Sequence, residues 1–182
     1  MCWGANAEGE LGDGTTADRS LPVEVIGLDD DAQLATGRFH SCALRTGGTV
    51  SCWGAGGRLG DGTAERRLTP VPVQGLSDVV EIFASHYHTC ALETGGRVVC
   101  WGRNDTGQLG DGTLEQRSTP APVEGLSDVV WLAIAHHSWM CWGQGNSGEM
   151  GNAATDHQPL PVAVMNLTES LEFVAGGHHN CA

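Results

Sequence analysis

The chain carries seven cysteines and eight histidines, and both residue types fall at recurring positions. Cys42 and Cys52 are centred on Gly47, and Cys90 and Cys100 on Gly95. Leu44 and Val50 share the first centre, and Leu92 and Val98 the second. A three-residue hairpin loop with a left-handed glycine gives this register. Alternation then puts Cys, Leu and Val on one face, each cysteine opposite its partner. Facing residues of an antiparallel pair lie ~4.5–5.5 Å apart, within disulfide reach. We read Cys42–Cys52 and Cys90–Cys100 as disulfides. The alternatives are reduced cysteines packed as small hydrophobes, or zinc ligands. Zinc is poorly served, because there is no Cys-x-x-Cys and a His-x-Cys supplies too few ligands per unit.

The histidines pair as His86 and His88, His136 and His137, His178 and His179. A ring of them would suit a cation. The simpler reading is that His40, His88, His137 and His179 recur because each ties the backbone around it together by hydrogen bonds. Asp13, Asp61 and Asp111 recur in Gly-Asp-Gly-Thr. Asp there bonds its own downstream backbone and forms the turn; a calcium site would need six to eight oxygens. No catalytic constellation stands out: there is no Gly-x-Ser-x-Gly, no His-Glu-x-x-His and no recurring carboxylate pair. We expect no catalytic residues, no metal and no cofactor. Asn104-Asp105-Thr106 and Asn166-Leu167-Thr168 match the glycosylation sequon and carry little weight.

Charge narrows the partners. The net charge is −13, and all nine basic residues are arginines. Without lysine there is no Schiff base and no P-loop lysine. Nucleic-acid binders neutralise phosphates with clustered Arg and Lys, so nucleic acid is not expected as a partner. A membrane span needs ~20 apolar residues; the longest apolar run, 129–135, is far shorter. No signal peptide is legible where Met1 leads into Cys2, Trp3 and Gly4.

The elements that must position these residues repeat along the chain. Cys-Trp-Gly occurs at 2–4, 52–54, 100–102 and 141–143. Leu-Gly-Asp-Gly-Thr occurs at 11–15, 59–63 and 109–113, with Met150-Gly151-Asn152 as a decayed copy. Each is followed by a Pro-Val segment: Pro22-Val23, Pro72-Val73, Pro122-Val123 and Pro161-Val162. Short β-branched runs bounded by turn residues read as strands. No 3.6-residue period survives the glycines. Proline cannot donate to a ladder, so the Pro-Val segment is an edge strand. Four short strands recurring at nearly 50 residues describe an all-β propeller blade. The spacing from His137 to Cys141 is eight residues shorter than from His88 to Cys100, so the fourth unit is expected to lack a hairpin. The units run 1–31 (a split blade completed by 166–182), 32–77, 78–127 and 128–165, within one repeat domain of 1–182.

The order Gly-x-x-His-(Ser/Thr)-Cys-Ala-Leu, Val-x-Cys-Trp-Gly, Leu-Gly-Asp-Gly-Thr, Pro-x-Pro-Val resembles the regulator of chromosome condensation repeat, in four copies over nearly the whole chain. The resemblance implies a seven-bladed β-propeller, of which this chain is about half. We therefore expect an open arc rather than a closed four-bladed ring, which would pair Cys181 with Cys2. Members of the family include an exchange factor for a small GTPase, a plant ultraviolet photoreceptor and a secreted bacterial β-lactamase inhibitor, so fold does not settle function. The photoreceptor's sensing tryptophans precede the recurring His by two residues. Here those positions are Arg38, His86, Ala135 and Gly177, so that role loses its residues.

Residues that recur in every unit serve the blade; residues that differ are free for a partner. Trp3, Trp53, Trp101 and Trp142 fall in the first group. The flanks of the long loop after Cys-Trp-Gly fall in the second, and loops on a rigid scaffold are where binding sits. The expected partner-binding residues are Arg19, Arg58, Arg66, Arg67, Arg103, Asp105 and Arg117, since Arg is enriched at interface hot spots. The reading is a non-catalytic scaffold that binds a protein or glycan. The alternative is an exchange-factor-like regulator of a small GTPase, but the first three Trp-to-Trp spacings leave no room for the insertion that relative uses. Disulfides persist in oxidising compartments, so an extracellular or cell-envelope location, of bacterial type, is expected.

Overall fold

The computed structural model describes residues 1–126, 140–143, 146, 148, 151–164, 174–175 and 180–181. Two complete four-stranded antiparallel sheets dominate it. The first runs β3 (Asp31–Thr36), β4 (His40–Arg45), β5 (Val50–Gly54) and β6 (Arg67–Pro72), neighbours in that order. The second repeats the meander with β7 (Val79–Ala84), β8 (His88–Glu93), β9 (Val98–Gly102) and β10 (Arg117–Pro122). Before them β1 (Cys2–Gly4) pairs with β2 (Arg19–Val23). After them β11 (Met140–Gly143) pairs with β12 (Gln158–Ala163), and β13 (Val174–Ala175) with β14 (Asn180–Cys181). The architecture is all-β, and each full sheet is one propeller blade. The expected missing hairpin of the fourth unit and His136, His137, His178 and His179 lie outside the described residues.

The hairpin register is the one the glycine centres imply. Cys42 faces Cys52 and Leu44 faces Val50; Cys90 faces Cys100 and Leu92 faces Val98. In the first hairpin, Arg45 N–H donates to Thr49 O at 2.8 Å around a three-residue loop, and Gly48 takes φ +75°. Both cysteine pairs are disulfide-bonded. A loop this short stabilises by about 3 kcal/mol or less per bridge. The proline-bearing strands β6 and β10 stand at sheet edges.

The core lies between blades. Alternate residues of β4 point to opposite neighbours. Cys42 and Leu44 join Val50, Cys52 and Leu59 against Val79, Ile82 and Trp101 of the next blade. Ala43 instead packs with Val25 and Trp53 toward the preceding unit. Both middle strands are therefore buried on both faces, which explains their unbroken apolar runs.

In each blade, two connections emerge at the same end. His40, Gly54 and Arg67 are paired across one end of the first blade, so loop 37–39 and the long loop 55–66 share it. In the second blade the same end carries loops 85–87 and 103–116. The hairpin turns 46–49 and 94–97 lie at the opposite end.

Candidate functional site

The long loop is built on an aspartate. One oxygen of Asp13 accepts from Thr15 N–H at 3.0 Å and from Thr15 Oγ1 at 2.7 Å, and the other accepts from Arg19 Nε at 2.8 Å. Asp61 binds Thr63 and Arg67 in the same way, and Asp111 binds Thr113 and Arg117. The Thr15 hydroxyl above all, with Arg19 and the Thr15 N–H, outweighs burial and lowers the Asp13 pKa to about 2. Burial pushes the Asp61 and Asp111 carboxyls up, but the arginine and threonine bonds prevail and their pKa values fall. The turn reading of these aspartates stands, with an arginine added to it. Arg19, Arg67 and Arg117 stand six residues after each aspartate, a recurring offset, so they belong to the scaffold. As expected binding residues, these three are placed in separate intraloop ion pairs and not in one shared cluster.

Asn6 and Asn104, both fully buried, close the same loop. Asn104 Nδ2 donates to Asp111 Oδ1 and to Thr113 O, each at 3.1 Å, while its Oδ1 accepts from Leu109 N–H at 2.9 Å. The sequon at Asn104 is thus a structural asparagine with no exposed amide. In the middle blade Gly56 takes this position; a Cβ there would run into the Ala64 carbonyl, so backbone contact closes that loop.

Trp53 and Trp101 are fully buried beneath the Leu-Gly-Asp-Gly turn of the preceding unit. Trp53 Nε1 donates to Glu10 O at 2.7 Å, and Trp142 Nε1 to Gln108 O at 3.1 Å. His40 also works between blades. Its Nε2 lies 2.8 Å from Thr89 Oγ1 of the next blade. The expectation that it ties its own backbone is corrected: the alternation of β4 aims the ring at the neighbour. Burial chiefly, then the charge of Arg58, lowers the His40 pKa to about 4; burial lowers His88 to about 4 as well.

What remains at the loop end is a cluster of non-recurring residues around Tyr87, the single tyrosine. The guanidinium of Arg58 lies 5.2 Å from the Tyr87 ring centroid and that of Arg103 5.1 Å. Arg38 donates to Tyr87 Oη at 3.0 Å and covers Phe39 at 5.0 Å. Phe39 and Tyr87 have ring centroids 6.0 Å apart, and the His86 ring lies 6.1 Å from Tyr87. The backbone fixes the placement. Arg38 N–H donates to His86 O at 3.2 Å across the blade boundary. Ala55 N–H donates to Phe39 O at 2.8 Å and Arg103 N–H to Tyr87 O at 3.0 Å.

Arg58 and Arg103, expected as binding residues, are brought together here; Asp105 is ion-paired to Arg103. Arg66 lies apart, donating to Ala7 O at 3.1 Å with Glu8 at 3.7 Å. The sequence reading missed Arg38, Phe39 and Tyr87. A signal was present, since Arg38 and His86 were already marked as departures from a family position. Seven of the nine arginines are ion-paired; Arg38 and Arg58 have no carboxylate partner among the described residues.

Solved structures share this architecture. Human WBSCR16 superposes with a TM-score of 0.76 at 22% identity, over 94% of this chain and 49% of that one. Yeast RCC1 (Prp20), crystallised bound to Kap60, gives 0.71 at 26% identity over 93% and 45%. Prp20p from Saccharomyces cerevisiae, in a structure described with its binding to Gsp1p and histones, gives 0.68 at 23% over 90% and 45%. The chain spans about half the length of these proteins. The model of the Regulator of chromosome condensation (RCC1) repeat matches residues 2–44, 47–92, 95–141 and 140–182. With its blades, its inter-blade tryptophans and its four matched repeats, this chain belongs to the RCC1 repeat family.

Proposed function

We propose that the chain is a non-catalytic scaffold that binds a protein partner through the loop end of its blades. One observation carries the reading. Asp13, Asp61 and Asp111 with their arginines, Asn6, Asn104, Trp53 and His40 are occupied in holding loops and blades together, while Arg38, Phe39, Arg58, Tyr87 and Arg103 form a non-recurring cluster on one face. Arg and aromatic residues are the types enriched at binding hot spots. The neighbours' partners, Kap60, Gsp1p and histones, are proteins, which supports the same class of role. The two buried disulfides favour an oxidising compartment for it.

The test is capture from an extract of the source cells, with wild type, Arg38→Ala/Arg58→Ala and Arg97→Ala in parallel. Arg97 lies at the opposite end of its blade. The reading expects proteins retained by wild type and Arg97→Ala and lost by the double variant, all three melting alike. A partner set indifferent to the double variant overturns it. Nucleotide release from a Gsp1-type GTPase, accelerated by the chain and insensitive to these variants, would favour the exchange-factor alternative instead.

A further inference from the structure

Three guanidinium groups converge on Tyr87 in a chain of net charge −13. Carboxylates are abundant elsewhere and hold the other arginines, yet at this cluster only Asp105 answers among the described residues, and it is paired to Arg103. Like charges gathered on one face repel, and the described residues of the chain leave Arg38 and Arg58 unneutralised. A guanidinium carries five N–H donors in the planar fork that carboxylates accept two at a time, and Arg38 spends one of them on Tyr87 Oη. The rings hold the arginines in place, which lowers the ordering cost of gripping a ligand.

We propose that the Arg38–Arg58–Arg103 cluster is a carboxylate-binding site and that its ligand is an acidic segment of a partner protein. This rests on the scaffold reading and names the chemistry of its partner. A short segment fits better than a nucleic acid. The site is three arginines wide, and a long polyanion laid across it would meet the acidic remainder of the surface, whereas a few clustered carboxylates meet only the cluster. Asp105 is the intramolecular competitor: it occupies Arg103 and sets a ceiling on affinity.

The probe is fluorescein-labelled hexaglutamate, followed by anisotropy, with labelled hexaglutamine and labelled single-stranded oligothymidylate as comparisons. Hexaglutamate is expected to bind and hexaglutamine not. Arg38→Gln/Arg58→Gln is expected to weaken binding at least tenfold with an unchanged melting temperature. Asp105→Asn frees Arg103 and is expected to tighten binding severalfold. Absence of hexaglutamate binding at millimolar concentration, equal binding of hexaglutamine, or a double variant that binds like wild type overturns the proposal. So does tighter binding of the oligonucleotide, which would assign the cluster to phosphates. Failure here with face-dependent protein capture intact overturns the carboxylate assignment alone; loss of face-dependent capture overturns the scaffold reading itself. If the double variant unfolds, Tyr87→Phe replaces it. It removes the hydroxyl that anchors Arg38, keeps the ring, and is expected to weaken hexaglutamate binding about threefold.

Discussion

At the scale of single residues, the carboxylates and histidines are placed so that protonation opposes the fold. Asp61 accepts from Arg67 Nε at 2.9 Å and from the Thr63 N–H at 3.0 Å, and its side chain is 7% exposed. Asp61→Asn removes a charged acceptor and is expected to cost about 1.5–3 kcal/mol by urea unfolding. Asp13 titrates at about 2 in the fold against an ordinary 3.8. Its contribution is present above the ordinary value and is lost as pH falls toward 2. The histidines act earlier. His40 and His88 fall from 6.5 to about 4, so the unfolded chain takes up their protons first. Stability is full above pH 6.5 and declines from there to about 4, by up to about 1.4 kcal/mol per histidine per pH unit. Melting temperatures measured from pH 7.5 to 4.5 are expected to fall, and His40→Gln, which cannot charge, to fall less steeply. An equal slope in that variant would remove His40 from the account.

At the scale of elements, glycine separates turns that carry packing from turns that do not. Gly60 has φ +72°, and a Cβ there would lie 2.6 Å from Val73 Cγ1 and 3.0 Å from Trp101 Nε1. Gly47 has open space and no positive φ. Gly60→Ala is expected to cost of order 1–3 kcal/mol through strain and overpacking. Gly47→Ala is expected to be neutral or to stabilise by about 0.4–1 kcal/mol through the unfolded chain. Equal costs in urea titrations would show that the turn does not seat the tryptophan. The hairpin registers, the disulfide partners and the proline edge strands were legible in the sequence because each depends on residues close along the chain. The Asp–Arg tie was legible as an offset of six, but it was hidden where Arg66 and Arg67 stand side by side and only one of them turns inward. The Tyr87 cluster was not legible. Its members come from four loops of two blades, and only the lateral packing of blades brings Arg38 to Tyr87 and Arg58 over both rings.

At the scale of the whole molecule, blades are added in one direction by a repeated joint. The turn at 9–14 covers Trp53, the turn at 60 covers Trp101, and the turn at 110 lies against Trp142. Trp53 and Trp101 are 0% exposed, whereas Trp3, at the same place in its own repeat, is 64% exposed. The joint is one-sided: each of Trp53, Trp101 and Trp142 is covered by the turn of the unit before it, not by its own. Trp3→Phe in this chain is therefore expected to change stability by no more than about 0.5 kcal/mol, and to remove an emission component that acrylamide quenches. Trp101→Ala is expected to cost about 3–5 kcal/mol and to loosen the joint between the two complete blades. The joint makes a further demand. When a Leu-Gly-Asp-Gly-Thr unit is fused ahead of β1, its turn should seat on Trp3, shift that emission to the blue and shield it from acrylamide. Trp3→Phe should then become destabilising in the longer chain. If Trp3 stays quenchable in the fused protein, blades of this family do not dock through the tryptophan joint alone, and the backbone bonds across the boundary, such as Gly62 N–H to Ser118 O at 3.0 Å, carry the assembly instead.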